Sequence, residues 1–551
     1  MLASCEGERS APRPEKSPEL AKAADDPARA AKPASGAERA AAPVDPAPWW
    51  SGAVVYQVFV RSFQDSGKDG IGDFKGLVQR LDHLNDGDPA TTTDLGVDAI
   101  WLMPVFQSPS YHGYDVVDYE NIEEDYGTNE EFQRFVDEAH RRGMRVILDL
   151  MLNHTSVEHP WFAESAAAPD SKKRAWYVWS DTRLDWGQPW DASQPTWHGR
   201  NGAFYYGVFW SGMPDLNFRN QEVRAESIRV AKLWLERGVD GFRLDAIRHL
   251  IEDGPGPGQS KSPDTHVYLR QFSAAVRQAK PDAVLVGEVW STAYDIAEYY
   301  GATGRDELQL LFDFPLAEAM IASVKGGRAG DIEAALGMLR TAYPAAAVDA
   351  PFLANHDQIR TATQLDGDPD RLRLAAALLL TMPGIPFLYY GEEIGLQNGP
   401  GKEDEWKRTP MPWDGSRRHG FTAGKPWYRF APGAAKANVA ALSKDPKSLL
   451  ARYRALIAAR KASRALRLGG LELVPAPGAQ GAALAFLRED GDERVLVVHN
   501  LSAEPVDTGA MTAAGAAAEP ILTDGSARLV KEGAGWRATL PPRGSGIWRL
   551  R

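Results

Sequence analysis

Eight short apolar segments, separated by stretches that carry helix signals, constrain the fold of this chain more than any other feature. Most are continuous apolar runs, which are typical of strands buried on both faces of a parallel sheet. The eight begin at Ala53, Ala99, Met144, Gly241, Ala283, Leu308, Ala350 and Pro386. This alternation predicts an α/β fold of the (β/α)₈ (TIM) barrel type, with an open doubly wound sheet as the main alternative.

Capping signals indicate where two of the helices begin. Thr128 and Glu131 have the spacing of a capping box ahead of an apolar face, and a glycine supplies the stop, so we predict a helix over residues 129–142. A later helix is predicted to start at Asp445, because Pro446 suits a first helical turn and apolar residues follow at helical spacing.

Shifts in composition divide the 551 residues into five parts. Residues 1–47 are rich in Ala, Pro, Lys, Glu and Asp with almost no large apolar side chains, so we expect a disordered spacer. Residues 48–154 and 213–464 are predicted to form the barrel. Residues 155–212, rich in Trp, Tyr, Pro and Ser, are predicted to form a subdomain inserted after the third strand. Short strand patterns over residues 465–551 predict an all-β C-terminal sandwich domain.

The net charge of the chain limits the partners that it can bind. A formal net charge of −12, from 74 acidic and 62 basic residues, disfavours nucleic acid, which needs a clustered positive surface. A neutral substrate suits this balance better. No apolar run approaches the roughly 20 residues that a transmembrane helix needs. We also expect the protein to be a monomer.

The single cysteine, Cys5, excludes a disulfide within the chain. The sequence Leu-Ala-Ser-Cys that ends at this residue resembles the end of a bacterial lipoprotein signal, although the charged and apolar regions of a signal peptide do not precede it. The resemblance implies a lipid anchor at Cys5 and an extracytoplasmic location in a bacterium. Secretion without an anchor is the alternative.

Acidic residues follow the ends of four predicted strands, where the reactive groups of a barrel of this type belong. They are Asp149, Asp245, Glu288 and Asp357. Two carboxyl groups about 5 to 5.5 Å apart suit retaining glycoside hydrolysis, one as nucleophile and one as acid/base. The alternative is that these acids pair with Arg243 or Arg248 only to balance charge.

Five segments, in order along the chain, make the sequence resemble the α-amylase family of glycoside hydrolases over about residues 48–550. They are residues 149–154, 213–217, 241–249, 287–290 and 352–357. The resemblance implies that Asp245 is the nucleophile, Glu288 the general acid/base and Asp357 the residue that stabilises the distorted sugar. It also implies a set of substrate-binding residues, which are His112, Tyr114, Asp149, His154, Arg243, Arg248, His249 and His356.

Different segments of the sequence resemble family members with different substrate preferences. The Met-Pro-Asp-Leu-Asn segment at residues 213–217 lies between those typical of oligo-1,6-glucosidases and of neopullulanases, and Ala246 departs from the Val or Thr usual in small-oligosaccharide α-glucosidases. The mixture resembles intermediate bacterial α-amylases. We therefore expect endo-hydrolysis of α-1,4 bonds in starch and maltooligosaccharides. An α-glucosidase, oligo-1,6-glucosidase or maltogenic enzyme with transfer activity is the alternative, and a non-catalytic glucan-binding subunit is a remote one.

The loop after the first strand carries aspartates four residues apart among glycines, a pattern that suits a hard cation with oxygen ligands. Within the family it resembles a calcium loop, in which Gly67 stands where an Asn ligand is expected. The alternative is a turn held by Asp hydrogen bonds. The predicted ligands of a structural Ca²⁺ are Asp65, Asp69, Asp73 and the carbonyl of Ile71.

Overall fold

A computed structural model describes residues 47–551 of the chain. The predicted spacer up to residue 46, and with it the predicted lipid anchor at Cys5, lie outside the described residues. In the described part, no helix has the length and apolar character that crossing a membrane requires.

Eight parallel strands form the central sheet, and their order in the sheet follows their order in the chain. The strands are β1 Val55–Val58, β2 Ala99–Leu102, β3 Arg145–Met151, β4 Gly241–Asp245, β5 Val284–Gly287, β6 Leu310–Phe312, β7 Val348–Ala350 and β8 Phe387–Tyr389. Strand β8 pairs with β1, and a parallel bridge between Phe352 and Phe387 joins the β7 and β8 ends. The predicted (β/α)₈ barrel is therefore confirmed.

The seventh strand lies earlier than predicted. The sequence placed its start at Ala350, whereas the structure places its end there. Pro351 follows and has no N–H to donate to a neighbouring strand, so regular pairing stops at this residue. Beyond it, Phe352 contributes only the single bridge.

Side chains of the barrel strands alternate between the barrel interior and the helix layer. On β5, Val284 and Val286 belong to the interior cluster with Trp101 and Phe312, whereas Leu285 packs in the larger cluster on the outer face. Both faces are thus buried, which explains why the strands read as continuous apolar runs.

Helices connect the strands and cover the outside of the barrel. The longer ones are Asn129–Arg141, Gln221–Glu236, Pro263–Ala279, Phe314–Gly326, Gly330–Ala342, Pro369–Thr381 and Leu449–Ala462. Shorter helices are Val60–Phe63, Phe74–Gln79, Leu81–Leu84, Pro160–Ala167, Ala293–Glu298, Thr361–Gln364, Val439–Leu442 and Arg464–Leu468.

The two helix predictions had different outcomes. The helix predicted over 129–142 is confirmed as Asn129–Arg141, and both hydrogen bonds of its capping box are present. The helix predicted to start at Asp445 begins at Leu449 instead. Ser448 is its N-cap, accepting the N–H of the third residue beyond it, whereas Asp445 holds a turn by accepting a backbone N–H two residues on.

Three smaller β regions accompany the barrel. After β2, the strands Phe106–Gln107 and Asp118–Ile122 form an antiparallel pair. Between β3 and β4, the strands Trp179–Ser180, Trp197–Arg200 and Ala203–Tyr206 form a small antiparallel sheet. After the barrel, eight antiparallel strands form a five-stranded and a three-stranded sheet around their own apolar core. They are β9 Gly470–Leu473, β10 Ala483–Asp490, β11 Glu493–Asn500, β12 Val506–Met511, β13 Ala518–Thr523, β14 Arg528–Glu532, β15 Gly535–Leu540 and β16 Ser545–Leu550.

Candidate active site

A cavity of about 740 Å³ opens at the carboxyl ends of the barrel strands, beside the insertion. Of the residues predicted to act in catalysis or substrate binding, eight line it, namely His112, Tyr114, His154, Asp245, Arg248, His249, Glu288 and Asp357. The other three lie behind this lining and are buried, namely Asp149, Arg243 and His356.

Arg243 lies behind the cavity lining and contacts three of the predicted acids. Its guanidinium contacts Asp149 and Asp245, each at 2.7 Å, and Glu288 at 2.9 Å. The side chain of Arg243 is 1% exposed, so water screens these contacts very little. Arg243 therefore does balance charge, as the alternative to a catalytic role supposed. One buried cation cannot balance three carboxylates, however, so the cluster has a net negative charge when all three acids are ionised.

Asp245 and Glu288 end neighbouring strands and are held close together. Strands β4 and β5 pair in register, which brings the two carboxyl groups to the same edge of the sheet. After Asp245 the chain turns at Ala246, which has a left-handed φ of 50°, and its N–H donates to Glu288 Oε2 at 3.2 Å. A non-glycine residue in this backbone region is uncommon and marks strain of the kind found at functional sites.

Glu288 is suited to hold a proton near neutral pH. Burial raises its pKa to about 8, Arg243 opposes the shift, and the negative charges of Asp245 and Asp357 add to it. A carboxyl group with a raised pKa can act as a general acid. Asp149, which is buried deeper, also has its pKa raised by burial, to about 7.

Asp357 lies in a positive environment. Burial alone would raise its pKa, but the neighbouring His356 and Arg408 outweigh burial and lower the pKa of Asp357 to about 2. Arg408 contacts it at 3.0 Å and also contacts Asp404 at 2.8 Å. Asp357 is therefore an ionised carboxylate at the cavity wall.

Tyr114 and His356 form a stacked pair beside the acids. Their rings lie 5.4 Å apart at 9°, and the hydroxyl of Tyr114 donates to Asp149 at 3.1 Å. The amide nitrogen of Gln57 donates to His356 Nδ1 at 2.8 Å, which leaves the imidazole proton on Nε2. Burial lowers the pKa of His356 to about 3, so the ring is neutral. Its Nε2–H donates to the hydroxyl of Tyr114 at 2.5 Å, and a carboxylate oxygen of Asp357 lies 3.1 Å from the same nitrogen.

The remaining histidines are held by hydrogen bonds within the protein. His154 Nε2 lies 3.2 Å from the carbonyl of Tyr114, and His249 Nδ1 lies 2.9 Å from the carbonyl of Gln259. Burial lowers the pKa of His249 to about 4 and also lowers that of His154. Arg248 donates to the carbonyl of Trp290 at 2.6 Å. His112 contacts Ser110 at 3.0 Å. The cavity is thus lined by neutral imidazoles around ionisable carboxyl groups.

Several residues of the cavity wall were not among the predicted site residues, although two of them, Met213 and Trp290, lie within the segments that carry the family resemblance. They are Pro189, Trp190, Phe209, Met213, Trp290, Asp404 and Arg408. The aromatic richness of the insertion was the available signal for Trp190 and Phe209. Arg408 lies in a segment with no strand or helix pattern, and only the fold brings it to Asp357.

The predicted calcium loop holds its shape through its aspartates. Asp65 accepts two backbone N–H groups of the loop at 2.7 and 2.9 Å, and Asp69 accepts that of Ile71 at 2.8 Å. Asp73 accepts one at 2.8 Å and caps the helix Phe74–Gln79. In the described part of the chain, no group of three or more His, Cys, Asp or Glu side chains is arranged to hold a metal ion. The hydrogen bonds account for this conformation, and calcium stays a prediction.

Comparison with known families places the chain. Residues 57–469 match the family described as alpha amylase, catalytic domain, and residues 477–547 match that described as maltogenic amylase, C-terminal domain. The first match spans most of the chain and covers the barrel, the insertion and the cavity described above. The protein therefore belongs to the α-amylase family of glycoside hydrolases.

Individual relatives differ in their named activities. Alpha-amylase 3 of Dictyoglomus thermophilum is 40% identical over 83% of this chain and 86% of its own length. An oligo-1,6-glucosidase of Heyndrickxia coagulans is 32% identical over 83% and 93%. A trehalose synthase of Pimelobacter sp. is 35% identical over 83% and 88%. The crystal structure of an alpha-amylase from H. orenii has a TM-score of 0.79 and 37% identity, covering 91% of this chain and 100% of that one.

Proposed function

We propose that this glycoside hydrolase is a retaining α-amylase that cleaves internal α-1,4 bonds of starch and maltooligosaccharides. The main support for this chemistry is that Asp245 and Glu288 contact the same buried guanidinium, that of Arg243, at 2.7 and 2.9 Å. Two carboxyl groups at one site, one of them with a raised pKa, match the nucleophile and acid of a double displacement.

In the first step, Glu288 gives its proton to the glycosidic oxygen while a carboxylate oxygen of Asp245 attacks the anomeric carbon. The bond between that carbon and the leaving oxygen breaks, and the departing glucan leaves with a new hydroxyl group. Arg243 donates to Asp245 Oδ1 at 2.7 Å and so holds that carboxylate in a fixed orientation for the attack. A glycosyl ester on Asp245 results.

In the second step, Glu288 is ionised and takes a proton from water. The water oxygen attacks the anomeric carbon, and the ester bond to Asp245 breaks. Two inversions restore the original α configuration at that carbon. Glu288 ends protonated and Asp245 ionised, as they began.

Asp357 is proposed to stabilise the positive charge that develops on the sugar. The transition state of glycoside cleavage resembles an oxocarbenium ion. A carboxylate whose pKa is lowered to about 2 stays ionised throughout, and Arg408 and His356 fix its orientation. A fixed negative group costs no reorganisation when the charge forms.

The choice of internal α-1,4 bonds is supported by the relative named alpha-amylase, which is 40% identical. The relatives named oligo-1,6-glucosidase and trehalose synthase, at 32% and 35% identity, support an exo-acting or transferring enzyme as the second candidate.

The time course of starch digestion separates these candidates. We expect iodine staining to be lost early, while few reducing ends have formed and mixed oligosaccharides accumulate. Glucose as the product from the outset would contradict endo action. Trehalose formed from maltose would favour the transferring alternative.

A location outside the cytoplasm is proposed because polymeric starch has to be cleaved where it occurs. Cys5 is the predicted point of lipid attachment. Fractionation of cells that express the full-length gene, with mass analysis of the N-terminal peptide, tests both statements. A cytoplasmic enzyme with an unmodified cysteine contradicts them.

A further inference from the structure

A buried glutamine on the first barrel strand contacts the site from behind the cavity lining. Gln57 is 1% exposed, and its side chain faces the barrel interior, because Val55, two residues earlier on β1, packs in the interior cluster. Burying an amide group is unfavourable unless it forms hydrogen bonds. The amide nitrogen of Gln57 donates to His356 Nδ1 at 2.8 Å, and this bond compensates for its burial.

The other side of the imidazole fixes which group donates in this contact. The neutral ring of His356 has one N–H, and its Nε2 lies 3.1 Å from a carboxylate oxygen of Asp357. An ionised carboxylate only accepts hydrogen bonds, so the proton belongs on Nε2 and Nδ1 is left as an acceptor. Nδ1 therefore needs a donor, and Gln57 supplies it.

From His356 a series of hydrogen bonds runs to the nucleophile. Its Nε2–H donates to the hydroxyl of Tyr114 at 2.5 Å, and that hydroxyl donates to Asp149 Oδ2 at 3.1 Å. The other oxygen of Asp149 accepts from Arg243 Nη1 at 2.7 Å, and the same nitrogen donates to Asp245 Oδ1 at 2.7 Å. Because Tyr114 accepts from the imidazole, its own proton is free to go to Asp149.

We propose that Gln57 is a positioning residue for the glycosidase reaction. By donating to Nδ1, it keeps the proton of His356 on Nε2. Asp357 then faces an N–H rather than a lone pair, and Tyr114 remains a donor to Asp149. This inference rests on the proposed function, because the groups that Gln57 orients through the imidazole take their roles from that mechanism.

The opposite placement of the proton would disturb both ends of this series. With the proton on Nδ1, the lone pair of Nε2 would face the carboxylate of Asp357, and the hydroxyl of Tyr114 would donate to that nitrogen instead of to Asp149. Burial already raises the pKa of Asp149, and the bond from Tyr114 is one of the contacts that oppose the rise. One proton therefore affects the stabilising carboxylate and the acid beside the nucleophile.

The test places a carboxyl group where the amide stands. In Gln57→Glu, an ionised carboxylate only accepts from Nδ1, so a neutral imidazole has to give up its proton on Nε2. One more proton on the pair restores the Nε2–H, whichever of the two groups holds it. We expect the ratio of variant to wild-type kcat/KM on α-maltosyl fluoride to fall by about tenfold for each pH unit above the apparent pKa of the pair.

The groups around His356 do not produce this dependence. The charged groups that face the ring are Asp357, Asp404, Arg243 and Arg408. Burial opposes each of these charges, but the opposite charges nearby outweigh it, lowering the pKa of both acids and raising that of both arginines. Asp149 and Glu288 titrate in the wild type as well, so their contribution cancels in the ratio.

Gln57→Met separates the donor from the shape of the side chain. It fills a similar volume and cannot donate, so we expect kcat/KM to fall by about tenfold with no new dependence on pH. Gln57→Glu regains a protonated Nε2 at low pH and should recover there toward the wild type, whereas Gln57→Met should not. Damage to folding alone would not give this difference.

Nitrogen NMR spectra of protein with isotope-labelled histidine read the position of the proton directly. The His356 signals are assigned by their absence from the spectrum of His356→Asn. We expect a bare Nδ1 and a protonated Nε2 in the wild type at neutral pH. In Gln57→Glu, the proton should move to Nδ1 as the pH rises through the apparent pKa of the pair.

Gln309→Glu is the matched control. Gln309 is a buried glutamine directly before β6, and its amide oxygen accepts the N–H of Leu285 at 2.9 Å, a role that a carboxylate can fill. The kcat/KM of this variant should stay close to that of the wild type at every pH. An equal loss in Gln309→Glu and Gln57→Glu would overturn the role of Gln57.

Two further results would overturn this role. One is a wild-type imidazole with its proton on Nδ1, and the other is a Gln57→Met variant with the kcat/KM of the wild type. A wild type that cleaves the fluoride but not maltopentaose refutes the proposed glucan substrate, and the fluoride still tests Gln57. If the wild type cleaves both and only the variants disagree, the proposed function stands and the role of Gln57 alone fails.

Discussion

At the scale of single residues, the site depends on how one cation is shared. Arg243 contacts Asp149, Asp245 and Glu288, and none of these side chains is more than 13% exposed. With three acids and one base, burial favours keeping a proton on at least one carboxyl group. The groups with raised pKa values are Glu288 and Asp149.

This sharing predicts the pH dependence of the reaction. The acid form of Glu288 is needed for the first step, and its pKa is raised to about 8. We expect kcat/KM on maltopentaose to hold up to about pH 7 and to fall as the pH rises through about 8, because Glu288 then loses its proton. The profile of kcat/KM reports groups of the free enzyme.

α-Maltosyl fluoride is the control substrate for this profile. Its cleavage needs no proton donor in the first step, because fluoride leaves as an anion. When formation of the glycosyl ester is followed, the rate should therefore fall at a higher pH with the fluoride than with maltopentaose. Identical basic limbs for the two substrates would remove Glu288 as the group responsible.

At the scale of elements, two buried arginines hold the end of a barrel helix. Arg460 donates to the carbonyls of Leu380 and Met382 at 3.0 and 2.9 Å, and Arg488 donates to that of Thr381 at 2.6 Å. These carbonyls belong to the last turn of Pro369–Thr381 and its C-cap, which have no partners within the helix. Positive charge at a helix C-terminus is also favourable.

Arg488 stabilises more than the helix. It lies on β10 and also donates to the carbonyls of Gly469 and Gly470 at 2.7 and 3.2 Å, so it joins the C-terminal domain to the barrel helix. We expect Arg488→Met to lower the free energy of unfolding by about 3 kcal/mol, since three carbonyls lose their donor. The measurement is urea unfolding followed by tryptophan fluorescence.

Arg537→Met is the control for this change. Arg537 is exposed, and its ion pairs with Asp507 and Glu532 lie at the surface. Such pairs contribute about 0 to 1 kcal/mol. An equal loss of stability in both variants would contradict the role assigned to Arg488.

The loop after β1 gives the prediction on metal binding. We expect a chelator to lower the melting temperature and added Ca²⁺ to restore it. We expect Gly67→Asn to strengthen the effect, because a Cβ at Gly67 would lie 3.4 Å from Asp69 Oδ2 and 3.6 Å from Asp65 Oδ1, which is ordinary contact. The substituted amide oxygen would thus join two carboxylates.

The opposite result would mean that the loop needs no metal ion. If no calcium co-purifies, and if chelation leaves the melting temperature of both proteins unchanged, the Asp hydrogen bonds alone hold the loop. Mg²⁺ is the control ion, because it demands a smaller octahedral site and should restore stability less well.

At the scale of the whole molecule, the barrel and the acids could be predicted because each depends on local sequence. Strands buried on both faces leave continuous apolar runs, and the acids that follow them meet at one edge of the sheet. Helix starts were less secure, since Asp445 and Ser448 are both good capping residues and only the second caps the helix. Pro351 shortened β7 in a way that an apolar pattern does not show.

The cavity wall could be predicted only in part, because it depends on contacts between distant segments. Arg408 is 51 residues from Asp357 in sequence and 3.0 Å from it in the fold. Trp190 meets His249 across the insertion, and no periodicity in residues 155–212 indicated which tryptophan would face the acids. Long loops take their positions from tertiary packing, so their sequences alone leave the specificity of the site open.

The central claim is that Asp245 forms a covalent bond to the sugar while Glu288 acts as acid and base. The direct measurement is intact-mass and peptide analysis of the Glu288→Gln variant after reaction with α-maltosyl fluoride. Fluoride leaves without acid catalysis, and the missing base slows hydrolysis of the ester by about 10² to 10⁴-fold, so the ester should accumulate. We predict one added maltosyl unit on the peptide that contains Asp245, and none in Asp245→Asn/Glu288→Gln. A maltosyl unit on another residue, or steady hydrolysis of the fluoride to β-maltose with no covalent adduct, would contradict the account.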